Sequence, residues 1–166
     1  MIHICGYIPE SINDGNGLRA VVFFSGCKHK CLGCHNESSW DFAAGEPFTE
    51  DAQDQIIEDI CSNPLLDGLT LSGGDPFFSP NEVSDFIDRF RKRSSLSIWI
   101  YSGFIFEAIK RDPQKKNLLV KCDVLVDGKF YLSQRDSSLL FRGSKNQRII
   151  DIQKSMAEGA AVSYEN

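Results

Sequence analysis

At 166 residues the chain is long enough for one domain with a real core, but short of the roughly 250 residues of a complete eight-stranded α/β barrel. Its net charge of -5 argues against a sequence-independent grip on nucleic acid, which depends on clustered Lys and Arg. No apolar stretch reaches the roughly 18 residues needed to span a bilayer, and no basic region followed by an apolar segment opens the chain, so the expectation is a cytoplasmic protein with neither a membrane nor a nucleic-acid partner.

Met1 to Pro9 is mixed and apolar, and the Gly15 and Gly17 neighbourhood reads as a tight turn before a first strand over Ala20–Phe24. That turn also delivers Arg19 to the base of the strand. The strand runs into Gly26-Cys27-Lys28-His29-Lys30-Cys31-Leu32-Gly33-Cys34-His35-Asn36, which sets three thiols in a C-x3-C-x2-C spacing on one loop. Three thiols on so short a loop can turn toward one metal centre. They are one fewer than the four that close an iron-sulfur cluster or a structural zinc site, so one corner is left for something else. In a cytosolic chain clustered thiols read as metal ligands rather than disulfide partners. Cys61 and Cys122, in apolar surroundings, read as buried structural thiols.

Trp40 and Phe42 pack the irregular stretch after the loop. Thr49 caps a helix with Glu50 and Asp51 in its first turn and Ile56, Ile57, Ile60 and Cys61 on its apolar stripe, and Asn63-Pro64 stops it. Gly68–Leu71 is a short strand running into Ser72-Gly73-Gly74-Asp75-Pro76. Two glycines at a strand end let backbone groups approach a small polar molecule. Ser79 to Glu82 forms a capping box, and Val83, Phe86, Ile87 and Phe90 are the buried stripe of the helix that follows.

A third strand, Ser97–Tyr101, ends in Ser102-Gly103, a short helix ends before Asp112-Pro113, and Cys122–Val126 is a fourth strand ending in Asp127-Gly128-Lys129. A polar loop, Phe141 to Arg148, precedes one more strand near Ile149–Ile152, and an irregular tail starts at about 153. Strands alternating with helices give an α/β fold in a single domain, an open partial barrel of four or five mostly parallel strands. By the strand-end rule the cysteine loop, Ser72 to Pro76, Tyr101 to Gly103 and Asp127 to Lys129 share one edge.

The three-cysteine loop resembles the signature of the radical S-adenosylmethionine (radical SAM) enzymes. The words Asp14-Gly15-Asn16-Gly17-Leu18-Arg19, Gly33-Cys34-His35-Asn36, Leu69 to Pro76, Ile98 to Gly103, Asp123 to Phe130 and Phe141 to Arg148 are similar to one branch of them, the activating proteins of anaerobic ribonucleotide reductases, from about Tyr7 to Ile152. The resemblance implies a 4Fe-4S cluster on Cys27, Cys31 and Cys34, with the fourth iron chelated by the amino and carboxylate groups of SAM. It implies that the backbone of Gly33, Cys34 and His35 lies near the adenine and that Gly73 and Gly74 meet the methionine amino group. Asp75, Ser102, Asp127 and Lys129 become SAM or ribose candidates. The catalytic work then belongs to the cluster and SAM rather than to any side chain. The implied partners are an anaerobic ribonucleoside-triphosphate reductase, on which a glycyl radical is formed, and a one-electron donor such as flavodoxin, with the chain alone as a homodimer or in complex with the reductase.

Where the family often has an aromatic residue and a proline, this chain has His35 and Asn16, which leaves open whether His35 stacks on adenine or hydrogen-bonds the loop. Two other readings stand beside this one: an activase for another glycyl radical enzyme of the formate lyase type, and a non-catalytic zinc module using His35 or His29 as fourth ligand. Arg142 and Asn146 read either as exposed turn residues or as part of a reductase docking face.

Overall fold

The computed structural model describes residues 1–165. Its twelve main elements are β1 (His3–Ser11), β2 (Arg19–Phe24), β3 (Glu46–Pro47), α1 (Glu50–Ser62), β4 (Gly68–Gly73), α2 (Pro80–Arg91), β5 (Ser97–Tyr101), α3 (Phe106–Arg111), α4 (Pro113–Leu119), β6 (Val124–Asp127), β7 (Arg148–Asp151) and α5 (Ile152–Glu158). The strands form one open seven-stranded sheet in the order β3-β1-β2-β4-β5-β6-β7. Its centre, β2-β4-β5-β6, is parallel, while β1, β3 and β7 are antiparallel flanks. The expected α/β class with an open, mostly parallel sheet holds, but the expected four or five strands become seven. No helix among the described residues is long and apolar enough to cross a membrane.

Alternation along the strands sends their two faces to different tasks. Ala20, Val22, Phe24, Leu69, Leu71, Ile98, Ile100 and Leu125 point into one core with Ile57 and Ile60 of α1, Phe86 and Phe90 of α2, Ile109 of α3 and Leu118 of α4. Every parallel step therefore crosses over on the same face. The other face carries a smaller cluster of Trp99, Val124 and Val126, packed with Tyr101, Phe141, Ile149 and Tyr164, and is otherwise left to a cavity.

The structure corrects five local expectations. The opening segment is a strand: Pro9, which speaks against one, sits in the irregular stretch between the Ile8 and Ser11 pairings, beyond the two residues that pair with β3, so its missing N–H interrupts no second ladder. Cys61 is exposed, its helix burying only the three isoleucines, whereas Cys122 is buried. Ser79 makes no side-chain cap; its carbonyl accepts from Val83 N at 3.1 Å, and Pro80 alone marks the helix start. Asp112 ends α3 and its side chain caps a further helix, α4. Finally, the tail is not irregular from 153: Asp151 caps α5 through Lys154 N, and Gly159 closes it in the left-handed region.

Arg19 belongs to the framework. It is 1% exposed and its five N–H groups all reach neutral oxygens: Nε donates to Thr70 Oγ1 (2.9 Å), Nη1 to Asn16 O (3.0 Å) and Ser97 Oγ (3.1 Å), and Nη2 to Leu69 O (3.0 Å) and Ser97 O (2.9 Å). Its guanidinium carbon also lies 5.5 Å from the Trp99 ring centroid. It ties the 14–17 turn to the first residues of β4 and β5, and Thr70 Oγ1 extends the tie by donating to Asp14 O at 2.6 Å. The fit excludes any side chain at position 68, where a Cβ would lie 2.3 Å from Arg19 Nη2. Arg19→Lys keeps the charge but serves fewer of these acceptors. It should cost about 2–4 kcal/mol in urea unfolding at unchanged m-value. A midpoint at the wild-type value would contradict this account of Arg19.

Candidate metal and cofactor site

The ends of the parallel strands are laced together by backbone before any side chain acts. Gly74 N donates to Phe24 O (2.7 Å) and Asp75 N to Gly26 O (3.0 Å), joining the end of β4 to the start of the cysteine loop. Cys27 N donates to Trp40 O (3.0 Å), which closes the loop from behind. Gly73 allows this approach: its φ is 105°, and a Cβ there would lie 2.3 Å from Phe24 O.

Asp75 joins three of the loops. Its side chain is 1% exposed, and its carboxylate accepts from Phe77 N (2.9 Å), Ser102 Oγ (2.9 and 3.1 Å), Gly103 N (2.9 Å) and His29 Nε2 (2.8 Å). An ionised carboxylate only accepts, so His29 carries its proton on Nε2. The His29 ring is packed by Phe78 and Phe104, with centroids at 4.9 and 4.6 Å. The middle of the first cysteine spacing is thereby pinned to the ends of β4 and β5.

Around these loops lies a cavity of about 680 Å³. Cys27, Cys31, Cys34, His35, Gly73, Gly74 and Ser102 line it. Of the expected cofactor residues, Gly33, Asp75, Asp127 and Lys129 are not on its lining. Asp75 is committed to the loops. Asp127 is buried, accepting from Phe106 N (2.8 Å) and pairing with Arg148, which also bridges to Glu107. Lys129 is exposed, and Gly33 faces Leu132 and Phe130. Asp75 follows β4 and Asp127 ends β6, where ligand groups often sit, but both carboxylates accept from backbone N–H groups of neighbouring segments. Phe130, Phe141, Gln147 and the rest of the Arg135–Gly143 segment line the cavity although the sequence suggested no part for them, and Arg142, expected as an exposed turn residue or part of a docking face, lines it as well. The words containing 130, 141 and 147 were the available signal.

All three loop thiols are free. Cys27 is 8% exposed, and burial pushes its thiol up to about 11, while Cys31 and Cys34 are half-buried. Cys34 Sγ accepts from Asn36 N at 3.4 Å. Among the described residues no three Cys, His, Asp or Glu side chains are already grouped closely enough to hold an ion. The donor set itself fits an iron-sulfur cluster: three soft sulfur ligands from one loop, opening on one cavity. A brief alkylation pulse at pH 8 on the metal-free protein should label exposed Cys5 and Cys61 first, Cys31 and Cys34 next, and Cys27 and Cys122 last. Mass spectrometry of the peptides checks the order, and Cys27 labelling as fast as Cys31 would contradict its burial.

A family model described as a 4Fe-4S single cluster domain matches residues 13–150. The chain is 40% identical over 147 residues to the anaerobic ribonucleoside-triphosphate reductase-activating protein of Pasteurella multocida (strain Pm70), covering 86% of this chain and 93% of that one. It is 40% identical over 147 residues to the protein of the same name from Haemophilus influenzae (strain ATCC 51907 / DSM 11121 / KW20 / Rd), covering 86% and 94%. With that from Escherichia coli (strain K12) the identity is 38% over 145 residues, covering 85% and 93%. With a cysteine-lined cavity at its strand ends and likeness over most of its length, the chain belongs to the 4Fe-4S single cluster domain family and, within it, to the anaerobic ribonucleoside-triphosphate reductase-activating proteins.

Proposed function

We propose that this protein activates an anaerobic ribonucleoside-triphosphate reductase by radical SAM chemistry, with a 4Fe-4S cluster on Cys27, Cys31 and Cys34 and SAM in the adjoining cavity. The observation that carries the reading is the set of three free thiols on one cavity wall, beside the Gly73-Gly74 strand end. The domain match and the names of the relatives support the cluster and the partner. When bound, the cluster supplies one electron and an open iron corner, so that SAM splits into methionine and a 5'-deoxyadenosyl radical able to take hydrogen from a glycine Cα of the reductase.

The chain's own residues bind, orient and shield. Cys27, Cys31 and Cys34 supply thiolates, and a thiol as buried as Cys27 gives up its proton on loading. Gly73 and Gly74 offer backbone groups to the methionine end, Ser102 lies on the same wall, and His35 stands at the adenine end. The open sheet acts as a partial barrel whose uncovered side admits a protein segment. An external one-electron donor of the flavodoxin type fits the need for a single electron.

Two measurements check this. Anaerobically reconstituted protein with dithionite and SAM should release 5'-deoxyadenosine, and Cys34→Ala, left with two of the three thiolates, should release none above background. Mixed with purified anaerobic reductase under the same conditions, the wild type should produce a glycyl doublet by EPR. A doublet on a formate lyase but none on the reductase would overturn the assignment.

A further inference from the structure

The words around Phe141 and Gln147 stay outside the chemistry above, yet they build the cavity wall next to His35. Phe130, on the segment leaving β6, has its ring centroid 5.8 Å from that of His35. A Cβ on Gly33 would come within 3.4 Å of the Phe130 ring, and one on Gly143 within 3.0 Å. Phe130 is thus held between the cysteine loop and the segment that leads into β7.

The segment leaving β6 and the one leading into β7 share the bridge of Arg135 with Ser144 and two backbone bonds, Asp136 N to Gly143 O (3.2 Å) and Lys145 N to Gln134 O (3.0 Å), while side chains fasten the stretch next to β6. Gln147 makes three bonds with one amide: Oε1 accepts from Gly143 N (2.8 Å) and Ser144 N (3.1 Å) of its own turn, and Nε2 donates across to Gly128 O (2.9 Å). Asn146 Nδ2 donates to Lys129 O at 2.7 Å, and Asn146 Oδ1 accepts from Ser144 Oγ at 2.6 Å. Arg142 folds back onto the carbonyls of Lys145 and Gln147. Phe141 takes a φ of 65°, unusual for a bulky residue, while its carbonyl accepts from Tyr101 Oη at 2.6 Å.

We infer that Gln147 is a positioning residue for the nucleoside end of SAM, acting by holding the Gly128–Phe130 wall beside His35. The inference rests on the cavity being the SAM site. Without the Gln147 amide, three backbone groups lose their partner and the wall keeps only the Asn146 bond to Lys129 O as a side-chain tie from this turn. A ligand that needs it must then order it on binding, which lowers affinity. The cysteine loop is secured separately, through Asp75 and His29, so iron loading does not depend on Gln147.

Gln147→Met keeps the bulk and removes all three bonds. Gln147→Glu keeps an acceptor for Gly143 and Ser144 and loses the donation to Gly128. Each is reconstituted anaerobically with iron and sulfide, titrated with SAM by equilibrium dialysis, and assayed for iron in the same samples. Hydrogen exchange is followed on the metal-free proteins. The SAM Kd should rise about tenfold or more in the Met variant and by a comparable factor in the Glu variant, since both lose the bond to Gly128, at wild-type iron content. Amide protons of Gly143 and Ser144 should exchange fast only in the Met variant, with core strand amides such as Leu125 protected in all three. An unchanged Kd in Gln147→Met, or iron lost in step with SAM, overturns the inference. A wild type that loads iron but binds no SAM overturns the reading of the cavity itself, and the inference with it.

Discussion

The site depends on one buried carboxylate. Asp75 accepts hydrogen bonds from the turn that follows it, from the end of β5 and from the cysteine loop, and it does so almost out of contact with water. Bonds to a charged acceptor are each worth about 1.5–3 kcal/mol, and losing one partner leaves the charge underserved in a poorly solvated place. The three loops are therefore held as a set. The hydroxyl of Ser102 and the ring of His29 serve the same carboxylate, so the thiols of the loop and the glycines of the β4 end keep a fixed relation although no covalent link joins them.

That arrangement is useful because the sheet is built one-sidedly. With all parallel crossovers on one face, the helices bury the residues at every second strand position and leave the others free. At the base of the free face, Arg19 ties β4 and β5 to the 14–17 turn through neutral oxygens alone. Its guanidinium fixes geometry there without a carboxylate, at the end of the strands away from the cysteine-lined cavity. Framework and chemistry thus occupy opposite ends of the same strands.

Much of this is legible in the sequence, and the limits are physical. The C-x3-C-x2-C spacing is local, so the donor set can be read directly, as can strands such as β2 and β5 whose buried runs are bounded by glycines or polar turns. β1 is hidden by Pro9 and by its irregular register, and α4 and α5, at 7 residues each, are too short for a periodic stripe. Asp75 follows β4, Asp127 ends β6, and both have the chemistry of ligand groups. Only their distant partners, His29 at a separation of 46 residues and Arg148 at 21, reveal them as braces. The place of the Arg135–Gly143 wall comes from partners that the sequence does not display, Tyr101 Oη on Phe141 O at a separation of 40 residues and the bridge of Arg135 with Ser144.

The central claim is that a chelating cofactor completes a site for which the protein provides three sulfur ligands. Its most direct test is electron-nuclear double resonance on the reduced, reconstituted protein with SAM labelled by nitrogen-15 at the amino group and carbon-13 at the carboxylate. The account predicts hyperfine coupling from both labels, in the wild type and in a His35→Ala variant alike. Absence of both couplings, with a histidine nitrogen coupled instead, would mean that the protein closes the fourth corner itself, and would contradict the account.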